Sequence, residues 1–333
     1  MQHAIVQRPP QGAYADLGEL IALRFPAAQL QLWRRKRALS VLAGPNKSNF
    51  RGRGIDFDEV RGYQPGDDIR AIDWRVTART GSAHTKLFRE ERERPVLIAV
   101  DQRNSQFFGS RHCFKSVLAA HLAGLVAWSA LNNGDRVGGL VFNGQDHREI
   151  RPRRSRKTVL AILSQVVEYN HRLPLADTEA SDSFAAMLAN LRRVARPGSS
   201  IYLISDFHGA TEARAREHLY QLAQHAEISA FACRDPLEQA LPRSGVYAVT
   251  DGSERAQLNT ADTALRRAFE HQARERAETL ASDLQRLGIP LLQFTTDQAP
   301  LPTLQRYYGE ARPGAARPGV ARPGVARPGE ARR

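Results

Sequence analysis

The residues best suited to chemistry are two aspartates that each follow a short apolar run. Asp101 follows the run at positions 96–100, and Asp206 closely follows a second run at 200–204. If these runs are neighbouring strands of a parallel sheet, both carboxylates face one crevice beyond the strand ends, where such sheets bind ligands. Together with Ser105 they would form an oxygen-rich site suited to Mg²⁺ held partly through water. The alternative is that each aspartate only caps the loop and helix that follow it.

Arg103 lies between Asp101 and Ser105 and alters this expectation. A guanidinium beside two carboxylates can neutralise them without any metal ion. We therefore expect no cofactor, with Mg²⁺ as the alternative. On this basis Mg²⁺ should not shift the melting temperature, and a shift that Asp206→Ala abolishes would contradict the expectation.

The sequence from residue 95 onward predicts the sheet that would position these residues. Strand-like apolar runs alternate with amphipathic helix-like segments, which is typical of a doubly wound, mostly parallel α/β sheet. Asn143-Gly144 indicates one antiparallel hairpin near an edge. The longest helix-like segment, at 264–287, places a stripe of apolar side chains on one face: Leu265, Phe269, Ala273, Ala277, Leu280, Leu284 and Leu287.

The chain divides into four predicted parts. Residues 1–43 form a basic helical segment, 44–94 a small β-rich module, and 95–300 the α/β domain. Residues 310–333 repeat the unit ARPG, and proline and glycine at that spacing prevent both helix and strand, so we predict a disordered tail.

Composition and charge restrict the class of protein. The net charge of +13 is concentrated at the two ends, and residues 20–55 contain no carboxylate. Such a stretch could attract phosphate-rich or acidic partners, or could simply be solvated. Two cysteines far apart in sequence argue against a zinc site and a disulfide framework and favour a reducing cytosol. No signal peptide is visible, and the longest apolar stretch, at 117–131, is too short to span a bilayer and predicts a buried helix, so we expect a cytoplasmic protein.

The module at 44–94 is dense in residues of opposite charge. We predict strands at 69–76 and 83–89 within it. Alternating charges at this density can satisfy one another as an ion-pair network that fixes an irregular module. A catalytic acid cluster is the alternative, and the structural interpretation is favoured because no nucleophile, base and orienting residue accompany the acids.

The loop after the first strand resembles a known metal-binding motif. Residues 101–105, Asp-Gln-Arg-Asn-Ser, are similar to the D-x-S-x-S metal-ion-dependent adhesion motif of von Willebrand factor A domains at the first and last positions, with Arg103 in place of the middle serine. Asp206 resembles the aspartate of the third loop, and the second-loop threonine would fall within 178–183. The resemblance implies a von Willebrand factor A-like fold, the metal ligands Asp101, Ser105 and Asp206, and protein ligands bound at this face.

A second resemblance covers most of the chain, from about residue 44 to 292. The ordered residues at 52–80, and Asp-Pro-Leu-Glu at 235–238, resemble the bacterial family called domain of unknown function 58. Many of its members carry two transmembrane helices before this region; this chain shows none, and we expect no integral membrane role. The signature positions and Arg103 are the interaction candidates: Arg53, Arg61, Tyr63, Pro65, Gly66, Asp67, Asp68, Arg70, Asp73, Trp74, Arg79 and Arg103.

The resemblance implies a non-enzymatic adaptor that binds a MoxR-type AAA+ ATPase during assembly or maturation of a client complex. One alternative is a metal-dependent hydrolase that uses Asp101 and Asp206. Another, which we do not favour, is a nucleic-acid-binding protein that uses residues 20–55 and the tail. The sequence contains no phosphate-binding loop, dinucleotide fingerprint, nucleophile elbow or HExxH motif.

Overall fold

Among the residues that the structure describes, the central sheet has six strands. A computed structural model describes residues 8–30, 32, 55–64, 72–90, 95–173, 184–242, 245–250 and 255–309. The sheet strands are β3 (Pro95–Asp101), β4 (Arg136–Phe142), β5 (His147–Arg153), β6 (Ser200–Ser205), β7 (Glu227–Arg234) and β10 (Leu291–Thr295). Two antiparallel pairs lie outside it, β1 (Ile55–Gly62) with β2 (His84–Glu90) and β8 (Val246–Thr250) with β9 (Arg255–Asn259).

The spatial order of the sheet is β10-β7-β6-β3-β4-β5. Every neighbouring pair is parallel except β4 with β5, which are antiparallel at one edge. The predicted mixed α/β fold with a mostly parallel sheet and an edge hairpin is therefore confirmed. From β3 the chain continues to β4 and β5 on one side, and β6 then returns to the other side of β3. The order thus reverses between β3 and β6, which is where open α/β sheets bind ligands.

Helices cover both faces of the sheet because its central strands carry apolar side chains on both sides. The helices are α1 (Leu17–Ala22), α2 (Arg24–Ala27), α3 (Trp74–Thr80), α4 (Lys115–Asn132), α5 (Arg156–Arg172), α6 (Phe184–Val194), α7 (Ala213–Ala223), α8 (Pro236–Gln239), α9 (Thr263–Arg286) and α10 (Pro300–Tyr308). Val96, Ile98 and Val100 of β3 pack in the core with α4 and α5. Leu97 and Ala99 point the other way, into the core with α6 and α7.

Helix α4 is buried along most of its length, as the long apolar stretch at 117–131 predicted. The N-terminal helical segment covers it. Trp128 Nε1 donates to the carbonyl oxygen of Leu20 at 3.1 Å, and Ser129 Oγ donates to that of Leu30 at 2.8 Å. These bonds fix α1 and α2 on the core. In the part of the chain that the structure describes, no helix combines the length and the apolar content needed to cross a membrane.

The strand predicted at 69–76 is wrong from Trp74 onward, where α3 begins. Asp73 caps this helix, and its Oδ1 accepts from the amides of Arg75 at 3.0 Å and Val76 at 3.2 Å. Gly81, with φ of +73°, ends it. An aspartate N-cap and a glycine just after the last turn are strong local helix signals, and they outweigh the β-branched content of the stretch. The neighbouring prediction at 83–89 is confirmed as β2.

Helix α9 buries less of its apolar stripe than predicted. Leu280 and Leu284 are buried, whereas Leu265, Phe269, Ala273, Ala277 and Leu287 are half-buried. The reason is length: 24 residues of helix span about 36 Å. The five-residue strand β10 that follows spans only about 17 Å.

Candidate functional site

Asp101 is fully buried at the end of β3 and is held by Arg103 and Ser205. The Arg103 guanidinium donates to Asp101 through Nε at 3.1 Å and Nη2 at 2.8 Å, and its backbone amide donates at 2.9 Å. Ser205 Oγ donates to Asp101 Oδ2 at 2.6 Å. Burial opposes the charge on Arg103, but the Asp101 carboxylate holds the pKa of Arg103 above its usual value. Both oxygens of Asp101 are therefore engaged within the chain.

Arg103 also joins the loops that follow β3 and β6. Its Nη2 donates to the carbonyl oxygen of His208 at 3.1 Å and lies 3.7 Å from Asp206 Oδ1. The guanidinium carbon lies 5.2 Å from the ring centroid of Phe184, a cation–π distance. The predicted neutralisation of two carboxylates by Arg103 matches this geometry.

Asp206 is held by Lys115, a residue outside the predicted site residues. Lys115 Nζ lies 3.0 Å from Asp206 Oδ2 and 2.5 Å from Glu238 Oε1. The amide of His208 donates to Asp206 Oδ1 at 3.0 Å. Burial opposes ionisation of Asp206, but Lys115 and Arg103 lower its pKa to about 2. Burial likewise opposes the charge of Lys115, yet Asp206 and Glu238 raise its pKa, so the ammonium is charged.

The position of Lys115 offered a signal that could have revealed it. Lys115 is the first residue of α4, and residues 116–132 contain no charged side chain. A cation at a helix N-terminus is unfavourable because the helix dipole is positive there. A lysine at the start of an otherwise apolar, buried helix therefore implies carboxylate partners. The sequence does not reveal which carboxylates these are.

Asp235 and Glu238 belong to the Asp-Pro-Leu-Glu segment at 235–238, which follows β7 and completes the site. Asp235 is fully buried and accepts from Ser110 Oγ and Thr296 Oγ1, both at 2.6 Å. Burial alone would raise its pKa, but these hydrogen bonds outweigh burial and hold the pKa of Asp235 below its usual value. Glu238 Oε2 accepts from the amide of Asp235 at 3.0 Å in a capping box. This bond orients Glu238 so that its other oxygen meets Lys115.

The sequence predicted that Asp101, Ser105 and Asp206 would hold Mg²⁺ if a metal binds. The structure brings Asp101 and Asp206 to one point, since both contact Arg103. Among the described residues, Ser105 Oγ is buried without a hydrogen-bond partner. The predicted ligands nevertheless do not fit a divalent cation in this arrangement, because Arg103 and Lys115 already bind the two carboxylates.

Two further observations bear on the metal prediction. Within the described ranges, no group of three or more His, Cys, Asp or Glu side chains is arranged to hold a metal ion. The segment 178–183, where the second-loop threonine was expected, lies outside the described residues. The ligand assignments for Asp101, Ser105 and Asp206 stay predictions.

The interaction candidates of the N-terminal module are only partly described. Arg61 lies in β1 opposite Thr85, and the amide of Tyr63 donates to Ala83 O at 2.8 Å. Asp73 caps α3, where Trp74 is 68% exposed and Arg79 is exposed. The other candidates lie outside the described residues: Arg53, Pro65, Gly66, Asp67, Asp68 and Arg70.

The solvent-facing side of the site is formed by the loops that follow β3 and β6. We call this side the strand-end surface. Its exposed residues include Asn104, Phe108, Arg111, His112 and His208. Phe108 is 41% exposed. Its carbonyl oxygen accepts from the amide of Lys115 at 2.8 Å. A Cβ at the next residue, Gly109, would approach Cys113 O to 2.1 Å, so only glycine fits this loop.

The site contains no arrangement suited to nucleophilic catalysis among the described residues. Ser205 Oγ donates to Asp101 and accepts from the amide of Phe207 at 2.9 Å. It contacts no histidine that could act as a base. A serine nucleophile is commonly activated by such a base within hydrogen-bonding distance. The geometry instead describes a rigid, charge-compensated end of the sheet.

Comparisons with known proteins identify similar chains. A family model described as protein of unknown function DUF58 matches residues 59–279. The uncharacterized protein Rv1480 of Mycobacterium tuberculosis is 30% identical over 314 residues, which cover 93% of this chain and 96% of that protein.

Two solved structures show weaker similarity. The conserved hypothetical protein BatB from Bacteroides thetaiotaomicron is 14% identical with a TM-score of 0.40, and the match covers 64% of this chain and 96% of that one. A von Willebrand factor type A structure from Catenulispora acidiphila is 15% identical with a TM-score of 0.30, over 45% of this chain and 35% of that one. At these scores the fold assignment rests on the strand order of the chain itself.

Proposed function

Since this chain belongs to the DUF58 family, we propose that it is a non-enzymatic adaptor that binds other proteins through its strand-end surface. The observation that carries the proposal is Phe108, which is 41% exposed on a loop that its neighbours hold rigid. Aromatic and arginine side chains supply much of the binding energy of protein interfaces, and Arg111 lies three residues away, also exposed.

The rigidity of the loop supports a binding role. Ser110 is bound to Asp235 through both its amide, at 2.8 Å, and its hydroxyl, at 2.6 Å. Gly109 allows the tight approach to Cys113 O. A surface that is ordered before binding loses less conformational entropy when the partner arrives, which favours affinity. The surface also lies where the strand order reverses, the position at which such sheets bind ligands.

The hydrolase alternative receives less support from the geometry. It requires Asp101 and Asp206 to hold a metal ion or to act as acid and base. Both carboxylates instead bind internal cations, and Ser205 is bonded to Asp101. A carboxylate in a buried ion pair is a poor base, because its cationic partners stabilise the ionised form and hold the pKa of Asp206 at about 2.

We propose a MoxR-type AAA+ ATPase as the partner, acting with this chain in assembly or maturation of a client complex. This part of the proposal comes from the resemblance to the family. The proposed compartment is the cytoplasm, in keeping with Cys113 and Cys233, which are both buried and free. The nucleic-acid alternative depended on residues 20–55 and 310–333, most of which lie outside the described residues.

Co-purification of the tagged full-length chain from its own cell tests the proposal. We expect mass spectrometry to identify an AAA+ ATPase, and we expect the purified chain to change the ATP hydrolysis rate of that enzyme. Tyr220→Ala is the matched control, since Tyr220 is 55% exposed on α7, outside the strand-end surface. The proposed partner would be refuted if no AAA+ ATPase co-purifies with the chain and if the added chain leaves the ATP hydrolysis rate of such an enzyme unchanged.

A further inference from the structure

The carboxylates and cations at the strand ends form one connected cluster. Three carboxylates, from Asp101, Asp206 and Glu238, meet two cations, from Arg103 and Lys115. Lys115 and Arg103 are both buried. Buried charges of this kind persist only when they are paired and hydrogen-bonded. The cluster is therefore a specific arrangement rather than a solvated group of surface charges.

We infer that the Arg103 guanidinium and the Lys115 ammonium, which we call the tethered cations, occupy the place of a divalent cation at this end of the sheet. Each binds strand-end carboxylates that a metal ion at this edge would also need as ligands. Arg103 binds Asp101 and approaches Asp206, while Lys115 joins Asp206 to Glu238. The chain thus carries its own counter-ions and keeps this face assembled without a metal.

The carboxylate oxygens of Asp101 and the hydroxyl oxygen of Ser105 support this assignment. Asp101 accepts five hydrogen bonds, four from Arg103 and one from Ser205. Those oxygens have no free direction toward a further cation. Ser105 Oγ, by contrast, is buried without a partner among the described residues. Hydroxyl and carboxylate oxygens are the ligands that Mg²⁺ and Mn²⁺ prefer, so the chain keeps one unused ligand-type atom in the turn that follows β3, the strand that ends in Asp101.

The competing explanation is an ordinary buried ion-pair network with no relation to a cation site. The two explanations differ in what happens when both tethered cations are removed. An ordinary network would leave three uncompensated carboxylates that no ion can bridge. A cation site would leave carboxylates and the Ser105 hydroxyl arranged to accept a divalent ion.

The experiment uses the full-length protein and the variant Arg103→Ser/Lys115→Met, titrated with MgCl₂ and MnCl₂ by calorimetry and thermal unfolding. We expect no binding and no thermal shift for the wild type. We expect the variant to gain a Mn²⁺-dependent shift of about 5–10 °C at roughly a hundredfold excess of ion over its dissociation constant. Adding Asp206→Asn to the variant should remove or greatly reduce that shift, because it replaces a charged carboxylate ligand with a neutral amide.

Two results would overturn the inference. One is a metal-dependent shift in the wild type that Asp206→Ala abolishes, since the ion would then bind despite the tethered cations. The other is a double variant that folds but does not respond to either metal. If the double variant does not fold in the absence of metal, refolding with and without Mn²⁺ decides: recovery only with Mn²⁺ supports the inference, and no recovery in either condition refutes it. Metal binding by these variants is independent of whether the strand-end surface binds an ATPase.

Discussion

Lys115 Nζ lies 3.0 Å from Asp206 Oδ2, although the two residues are 91 positions apart in sequence. The contact joins the start of α4 to the loop after β6, and both side chains are almost completely buried. A buried ion pair of this kind adds little net stability when compared with apolar residues, because desolvation offsets the attraction. Removing one partner alone is costly, however, since the other charge is left buried without compensation.

The first prediction concerns Lys115→Met, which removes the cation and keeps a side chain of similar length. We expect the free energy of unfolding to fall by about 3–5 kcal/mol, because Asp206 and Glu238 lose their shared partner. Denaturant unfolding measures this change. Combining it with Asp206→Asn should cost less than the sum of the single changes, because the two side chains are coupled.

Lys157→Met is the matched control for this prediction, since Lys157 is exposed at the start of α5. A surface substitution of this kind should change stability by no more than about 0.5 kcal/mol. Equal losses from Lys115→Met and Lys157→Met would contradict the buried ion pair.

The second prediction concerns the pH dependence of stability. The pKa of Asp206 in the folded protein, about 2, lies below its ordinary value of 3.8. The contribution of Asp206 is therefore complete above the ordinary value and is lost as the pH falls from there toward 2. The difference between the two values corresponds to about 2 kcal/mol. Urea unfolding between neutral pH and pH 2 measures it.

Lys115→Met/Asp206→Asn is the reference for the pH experiment, because other carboxylates also titrate in this range. The wild type should lose more stability than the double variant between pH 4 and 2. Parallel curves for the two proteins would show that Asp206 does not have a lowered pKa.

The third prediction concerns Gly109→Ala. A Cβ at Gly109 would lie 2.1 Å from Cys113 O, so the loop that carries Phe108 must move. We expect a loss of about 1–3 kcal/mol from this overpacking, together with weaker partner binding. Gly62→Ala is the control, because a Cβ there meets no atom within 4 Å and the backbone does not require glycine. If both variants unfold at the same temperature, the loop is not tightly fixed.

The sheet and the meeting of Asp101 with Asp206 could be predicted from the sequence because both follow from local patterns. Short apolar runs that alternate with helices predict parallel strands. Parallel strands place their carboxyl ends at one edge of the sheet, so the aspartates that follow them lie close together. The partners of Lys115 could not be predicted, since Asp206 and Glu238 are 91 and 123 positions away and only the strand order brings them near. The error at 69–76 had a different cause, because the Asp73 N-cap and the Gly81 C-cap are local signals that favour a helix over a strand at 74–80.

Direct binding of the partner ATPase to purified wild-type, Phe108→Ala and Tyr220→Ala proteins tests the central claim most directly. Truncation of an interface anchor typically costs 2 kcal/mol or more, so we expect the dissociation constant of Phe108→Ala to rise roughly thirtyfold. Tyr220→Ala should bind as the wild type does, and all three proteins should melt at similar temperatures. Unchanged affinity of a folded Phe108→Ala protein would contradict the account that the strand-end surface is the binding site.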